Sequence, residues 1–443
     1  MKKTLIAVAA AAALTATSAF AEITFGMWTK AVLVPVANDG EDYKAGLTQA
    51  WGGAARTAGL GVNGVNEEGT AGYTFEIRDQ AGEDKINHGD RSVLWVKPID
   101  MVKLSVGYFD DGDNGFRQGS GFGAWDWLRP SRTTDLFFNG DNAIMDGKSG
   151  DGFMAEVTPI EGLKVMANIP FLENGTYIQD AYDIYKKTQI GAAYTIDGTG
   201  TLKVLWTGVS EESKIADKKY DYTGKIGVAF NLTAVENLNL AIGAKFDIVD
   251  EDYKVDDIDF STKSFGEWGG AKNKAYFALN AGYQVSDAMK VSLAGGVKLF
   301  KDSDIDPRFG IGGGIDYTIM DGLTMNADVR YISETKADGY DGEDDAVSFL
   351  LGVSKGFSNG SLGVGFEGIT NGIGFSEIPA GKDDAVSFLL GVSKGFSNGS
   401  LGVGFEGITN GAGFSSIAAG KDDKGKVHDG FMWCVPVVLT FSF

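Results

Sequence analysis

Two groups of residues could do chemistry in this chain. The first is a set of charged side chains lying in stretches whose alternate residues are apolar: Lys103, Lys164, Lys203, Lys225, Lys245, Lys298, Arg78 and Arg330, offset by Glu76, Glu156, Asp247, Asp316, Asp328, Glu367 and Glu406. Period two puts each of them on the face opposite its apolar neighbours. If the apolar face meets lipid, these charges face a wet interior, because placing them in hydrocarbon costs kilocalories each. Such a lining supports a local field acting on passing ions; mixed charges that merely solvate one another give the same pattern.

The second group is the segment Asp110–Gly150, in which Arg117, Arg129 and Arg132 are mixed with Asp111, Asp113, Asp126 and Asp135 and with the rings of Phe116, Phe122, Trp125, Trp127, Phe137 and Phe138. A stretch of this length without strand alternation is unusual unless it has a task or is disordered. It is expected to fold inward as a constriction; an outward surface loop is the alternative.

Other chemistry finds little support. Two histidines and one cysteine leave few imidazole bases or soft metal ligands, and Cys434 has no partner for an internal disulfide. His88 beside Asp90 lacks an identifiable nucleophile, and His428 and Cys434 read as ordinary loop and strand residues. Asp302-Ser303-Asp304-Ile305-Asp306 opens like a calcium loop, but Pro307 replaces the glycine and Gly313 stands where the bidentate glutamate belongs. No catalytic residue, metal or cofactor is expected. The net charge of −21 argues against nucleic-acid partners, and the acid clusters between strand candidates, as in Asp250-Glu251-Asp252 and Glu343-Asp344-Asp345.

The elements that must position these charges are β-hairpins. Asp344–Gly372 returns identically at Asp383–Gly411, a tandem copy that divides this region into units 344–382 and 383–423. In each copy two alternating arms flank an Asn-Gly pair, Asn359-Gly360 in the first, which suits a tight turn. A closed up-and-down barrel can grow by one hairpin and stay closed, whereas a compact sandwich rarely accepts two extra strands. A solenoid would need at least three stacked repeats.

Short turns and longer loops alternate along the chain. Asn66–Thr70, Pro98–Met101, Pro159–Gly162, Asp197–Gly200, Thr233–Asn237, Ser286–Ala288 and Met320–Gly322 are short, while Asp79–Gly89, Asp110–Gly150, Leu172–Lys187, Ser210–Asp221 and Asp250–Lys272 are long. With the two copied turns, this predicts an all-β, transmembrane antiparallel up-and-down barrel of about 20 strands, or 18 plus one duplicated hairpin. No later stretch has the apolar length of a spanning helix.

The ends complete the pattern. Residues 1–21 carry Lys2 and Lys3, an apolar run and Ala19-Phe20-Ala21, the three parts of a secretory signal, which leaves 22–443 as the barrel. A first strand with Pro35 near its end is followed by a polar loop. In Gly430–Phe443 the odd positions from Phe431 to Phe443 form an unbroken apolar face that suits lipid and would aggregate in water.

The signal, the opening FGMWTKAVLVPV with Trp51–Arg56 (WGGAAR), the hairpin series and the terminal FSF resemble porin-like outer-membrane proteins, the opening block being most like those of spirochaetes such as treponemes. The resemblance implies a pore for small hydrophilic solutes, set in the lipid of the bacterial outer membrane and sometimes a homotrimer. It also implies that Phe441 and Phe443 belong to the C-terminal signal read by the barrel assembly machinery. A surface antigen or adhesin, with its loops as the working part, would use the same scaffold.

Overall fold

The computed structural model describes residues 22–48, 56–80, 87–110, 112–116, 144–145, 147, 150–171, 181–215, 218–249, 271–334, 345–370, 384–409 and 430–443. The expected signal segment, Trp51 and most of the arginine-rich segment lie outside them.

The first strands are β1 (Glu22–Asn38), β2 (Tyr43–Thr48), β3 (Arg56–Val65), β4 (Ala71–Gln80), β5 (Asn87–Ile99), β6 (Val102–Phe109), β7 (Gly150–Ile160) and β8 (Leu163–Pro170). A short helix, α1 (Ala181–Lys186), precedes β9 (Gln189–Ile196), β10 (Gly200–Ile215), β11 (Lys218–Leu232), β12 (Leu238–Val249), β13 (Asn273–Ser286) and β14 (Met289–Phe300). There follow β15 (Arg308–Met320), β16 (Leu323–Ile332), β17 (Ala346–Phe357), β18 (Gly360–Ile369), β19 (Ala385–Phe396), β20 (Gly399–Ile408) and β21 (Met432–Ser442).

From β3 onward each strand pairs antiparallel with the next, and β1 closes the ring against β21, from Trp28↔Ser442 to Asn38↔Trp433. The terminal residue takes part: the Phe443 N–H donates to the Met27 carbonyl at 2.8 Å, and the Phe443 carboxyl oxygen accepts from the Met27 N–H at 3.0 Å. β2 and β3 both pair with β1, opposite Val32–Asn38 and Glu22–Ala31 respectively, so together they serve as one wall strand of a closed 20-strand barrel. Closure removes the sheet edges and lets neighbouring strands satisfy each other's backbone groups, as hydrocarbon requires. Among the described residues no helix is long and apolar enough to cross a membrane.

Alternation in the sequence becomes alternation of face. On β12, Lys245, Asp247 and Val249 are buried inside while Ile242, Phe246 and Ile248 are exposed outside; on β21, Met432 and Cys434 are buried while Leu439 and the flanking Phe431 and Phe443 are exposed. The short connections lie at one end of the wall and the longer ones at the other, as the turn spacing predicts, except that β10 and β11 are joined at the second end by residues 216–217 alone. At the copied turn Asn359 adopts φ 59°, the left-handed conformation for which an Asn-Gly pair is suited. Both copies pair alike, Phe357↔Gly360 through Ser348↔Ile369 in the first and Phe396↔Gly399 through Ser387↔Ile408 in the second.

Two expected loops are strand instead. Across Ser210–Asp221, expected as one of the longer loops, β10 and β11 remain paired from Glu211↔Tyr222 to Ile215↔Lys218 beyond a register shift between Gly208 and Glu211. Backbone hydrogen bonds hold a two-stranded ribbon without an apolar face when it extends past its neighbours. The expected polar loop after the first strand is also mostly β2, reached through a four-residue turn at 39–42. Pro35 lies in the bulge between Val34 and Ala37, where its missing N–H costs no ladder bond.

Candidate pore lining and inward segment

The described residues Asn114, Phe116, Ile144 and Met145, from the segment between β6 and β7, are buried against the inner face of the barrel. The turn 112–116 continues from β6: Asp110 N–H donates to Asp113 Oδ2 at 2.8 Å, and Arg91 of β5 clamps the Asp113 carboxylate at 2.5 and 2.9 Å. Asn114 is buried, donating to Gln189 Oε1 on β9 at 3.1 Å and accepting from the Phe116 N–H at 2.8 Å. Phe116 is fully buried against Gly191, where a Cβ would come within 2.8 Å of its ring. Further along, Ile144 and Met145 pack over β11 and β12, 2.9 Å from a Cβ placed on Gly243 and 2.5 Å from one placed on Gly227, respectively. Glycine is therefore required on these strands: it leaves the wall low enough for a second layer of chain to lie on it.

The strand register explains the route. Glu156, Met166, Gly191, Leu205, Gly227 and Lys245 are successive cross-strand partners from β7 to β12, forming one inward row. Phe116 and Met145 lie on its two glycines.

The expected lining charges fall as follows. Glu156 bridges Lys103 at 3.6 Å and also pairs with Lys164. The Lys103 ammonium lies 5.5 Å from the centre of the Trp95 ring and that of Lys164 lies 6.0 Å from the Phe116 ring, both within cation–π range. Lys164 and Lys203 reach the carbonyl oxygens of Asn114 and Gly115, at 3.5 and 3.3 Å. Arg78 pairs with Glu76 at 2.9 Å and stacks over Trp28. Lys225 is half-buried opposite Asp247. Lys245 and Lys298 are buried on either side of Tyr276, 5.9 and 5.3 Å from its ring centre. Asp247 accepts from both the backbone and side-chain N–H groups of Asn273, at 2.6 and 3.0 Å. Asp328 and Arg330 are buried on β16, the Asp328 side chain lying across Gly314, and Asp316 is half-buried on β15. Glu367 is buried on β18, and Glu406 on β20 accepts from the Cys434 thiol at 3.9 Å.

In the long segment the structure describes only Asp113 among the seven charged candidates; Asp111, Arg117, Asp126, Arg129, Arg132 and Asp135 lie outside the described residues. Phe441 and Phe443 stack at the closing seam with ring centres 6.5 Å apart.

Several inward residues escaped sequence reading. Arg308, buried in the partner position to Lys298 at the start of β15, carries the same parity signal. Leu350 and its copy Leu389 are inward and fully buried although apolar, so period two alone assigns their face and hydropathy misleads. The Arg91–Asp113 and Asn114–Gln189 contacts join residues distant in sequence and leave no local signal.

A family model described as a porin subfamily matches residues 114–350, more than half of the 443-residue chain. No curated protein matches it. Among solved structures, the anion-selective porin from Comamonas acidovorans is similar at 12% identity and TM-score 0.41, covering 95% of this chain and 99% of its own. OccK11 of Pseudomonas aeruginosa gives 8% and 0.46 over 96% and 97% of the two chains. The trimer form of OmpT from Vibrio cholerae gives 13% and 0.41 over 95% and 99%. The match over 114–350, from the inward turn into the first copied strand, together with the closed wall and its charged inner face, places this chain in the porin family, among the channel proteins of the bacterial outer membrane.

Proposed function

We propose that the barrel is a passive diffusion channel for small hydrophilic solutes and ions, narrowed by the segment 110–150. The observation that carries this reading is the seating of Phe116 and of Ile144–Met145 on inward glycines of β9, β11 and β12. Phe116, Ile144 and Met145 lie on the inner face of the wall, which supports a solute path narrower than the ring of strands. An outward loop would leave those glycine positions facing open water. The charged segment residues Arg117, Arg129, Arg132, Asp111, Asp126 and Asp135, with Asp113, would then border the path, and the strand charges from Lys103 to Arg330 would line it. In a confined, partly desolvated passage their field is screened less than on an open surface.

Single-channel conductance of the purified protein in a planar bilayer tests this. Discrete, ohmic steps are expected, larger in the variant lacking Gly119–Gly140. Insertion without current would reject the channel reading and favour a scaffold whose outer loops do the work. Association in threes, which the family resemblance suggests, would appear as a threefold conductance unit and in cross-linking of detergent-extracted protein.

A further inference from the structure

We propose that β2 is a docking strand: its free edge takes, by antiparallel strand addition, an extended segment of another polypeptide that runs from the membrane toward the loop end of the barrel. The proposal stands apart from the channel reading, since it concerns a strand edge and not the solute path.

Among the described strands β2 alone is paired on one side only. Its partner is β1, from Asn38↔Tyr43 to Val32↔Thr48, whereas every other strand has a neighbour along each edge. The ring closes below it: β3 lies opposite Glu22–Ala31 and passes to β4, and β4 stops at Gln80, opposite Thr57. The wall on that side therefore ends where β2 begins. In an antiparallel ladder alternate residues turn their N–H and C=O groups to opposite edges. Half of the residues Tyr43–Thr48 thus offer theirs to a side on which no described strand stands.

This edge lies at membrane depth. Through β1, Tyr43 is level with Trp433 and Thr48 with Val438, so about 20 Å of strand runs beside the loop-end half of the apolar outer face of β21. The Tyr43 ring meets Trp433 edge-on with centres 6.2 Å apart, as in the aromatic belt that marks a barrel's membrane interface. Below that belt lipid offers neither donor nor acceptor, and open sheet edges are not stable in hydrocarbon. A peptide strand supplies both in series; an acyl chain supplies neither. The usual guards of an edge are missing as well: YKAGLT contains no proline, and its one charge, Lys44, is drawn to the Asp39 and Asp42 carboxylates at 3.3 and 3.5 Å. A Cβ on Gly46 would meet nothing within 4 Å, which leaves room beside the strand. Because β2 runs down from the loop end, its antiparallel partner runs up. A second copy upright in the same membrane presents a β2 that also runs down, with its lipid-facing side turned over, so this edge does not pair with itself. The segment that fits alternates, apolar on the side shared with Tyr43 and polar or small on the side shared with Lys44 and Gly46.

Amide hydrogen exchange of Tyr43–Thr48, followed in the purified full-length protein in lipid nanodiscs, tests this. The probe is a synthetic octapeptide of alternating valine and threonine, N-methylated at alternate residues so that one edge stays free; the control peptide is N-methylated at every residue. Without peptide, alternate amides of β2 should exchange fast and the rest slowly. The probe should slow the fast set, about tenfold at ten times its dissociation constant, and the control should not. Ala45→Pro or Gly46→Pro, whichever removes a fast amide, should abolish the slowing and leave single-channel conductance at the wild-type level. Uniformly slow amides in the protein alone would show that this chain already covers the edge and would overturn the proposal. Slowing that rises with protein concentration alone assigns the edge to a second copy and overturns it too, as does a probe without effect or a control that acts equally. Each of these outcomes leaves the channel reading standing, because that reading is decided by conductance.

Discussion

Gly227 and Met145 are in a contact that no side chain on β11 would permit: a Cβ at position 227 would lie 2.5 Å from Met145 Cγ. The wall strand and the inward segment fit because one of them lacks an atom. Gly227→Ala is therefore expected to push the segment toward the pore axis, lowering single-channel conductance and costing about 1–3 kcal/mol of stability through overpacking. Gly295→Ala, on the outer face of β14 where the nearest atom to a Cβ is 3.7 Å away, should leave conductance unchanged. Equal conductance in both variants would mean that the segment does not border the narrow zone.

The copied hairpin is expected to be removable as a unit. β16 meets β17 at Ile332↔Ala346, and β18 meets β19 at Ile369↔Ala385; positions 346 and 385 are equivalent in the two copies. Deleting Asp344–Lys382 joins β16 to β19 with the same partner residues and faces, and should give a barrel two strands smaller. Heat-modifiable migration in gels should persist, with a lower conductance. Loss of insertion while the signal segment and β21 remain intact would show that the first copy has a role the second cannot take.

The seam between β1 and β21 ends in the reciprocal backbone pair of Met27 with Phe443 and in the stacked rings of Phe441 and Phe443. Removing Phe443 deletes both hydrogen bonds at a place where lipid offers no replacement. The folded, heat-modifiable fraction should drop sharply in cells, while Lys394→Gln, away from the seam, assembles normally.

A local pH dependence is expected at the turn between β1 and β2. Burial pushes the Asp39 carboxyl up, but the N–H groups of Asp42 and Glu41, at 2.8 and 3.1 Å, and the Lys44 ammonium at 3.3 Å outweigh it and hold its pKa below the ordinary aspartate value of 3.8. A lowered carboxylate contributes stability fully above the ordinary value and loses it as pH falls through the folded value. Amide exchange at Glu41 and Asp42 should therefore stay slow down to about pH 4 and quicken only below it. In Asp39→Asn this step should vanish.

The sequence by itself determined the wall. Period-two alternation set the face of Lys245, Asp247 and Arg330, because in a strand a neighbour's face is fixed by parity alone, and the Asn-Gly turns and tandem copy set where the chain reverses. The lipid-facing band of β21 was legible for the same reason, each of its odd positions being apolar. Parity says which way a residue faces, not what lies opposite. Only the tertiary structure decided that Phe116 and Ile144–Met145 lie on Gly191, Gly227 and Gly243, that Arg91 clamps Asp113, and that Lys164 and Lys203 converge on consecutive carbonyls of one turn. These contacts join strands by closure of the ring and by the stagger between strands, and neither leaves a local mark. A glycine that makes room for another segment reads, in one dimension, like a glycine that makes room for nothing.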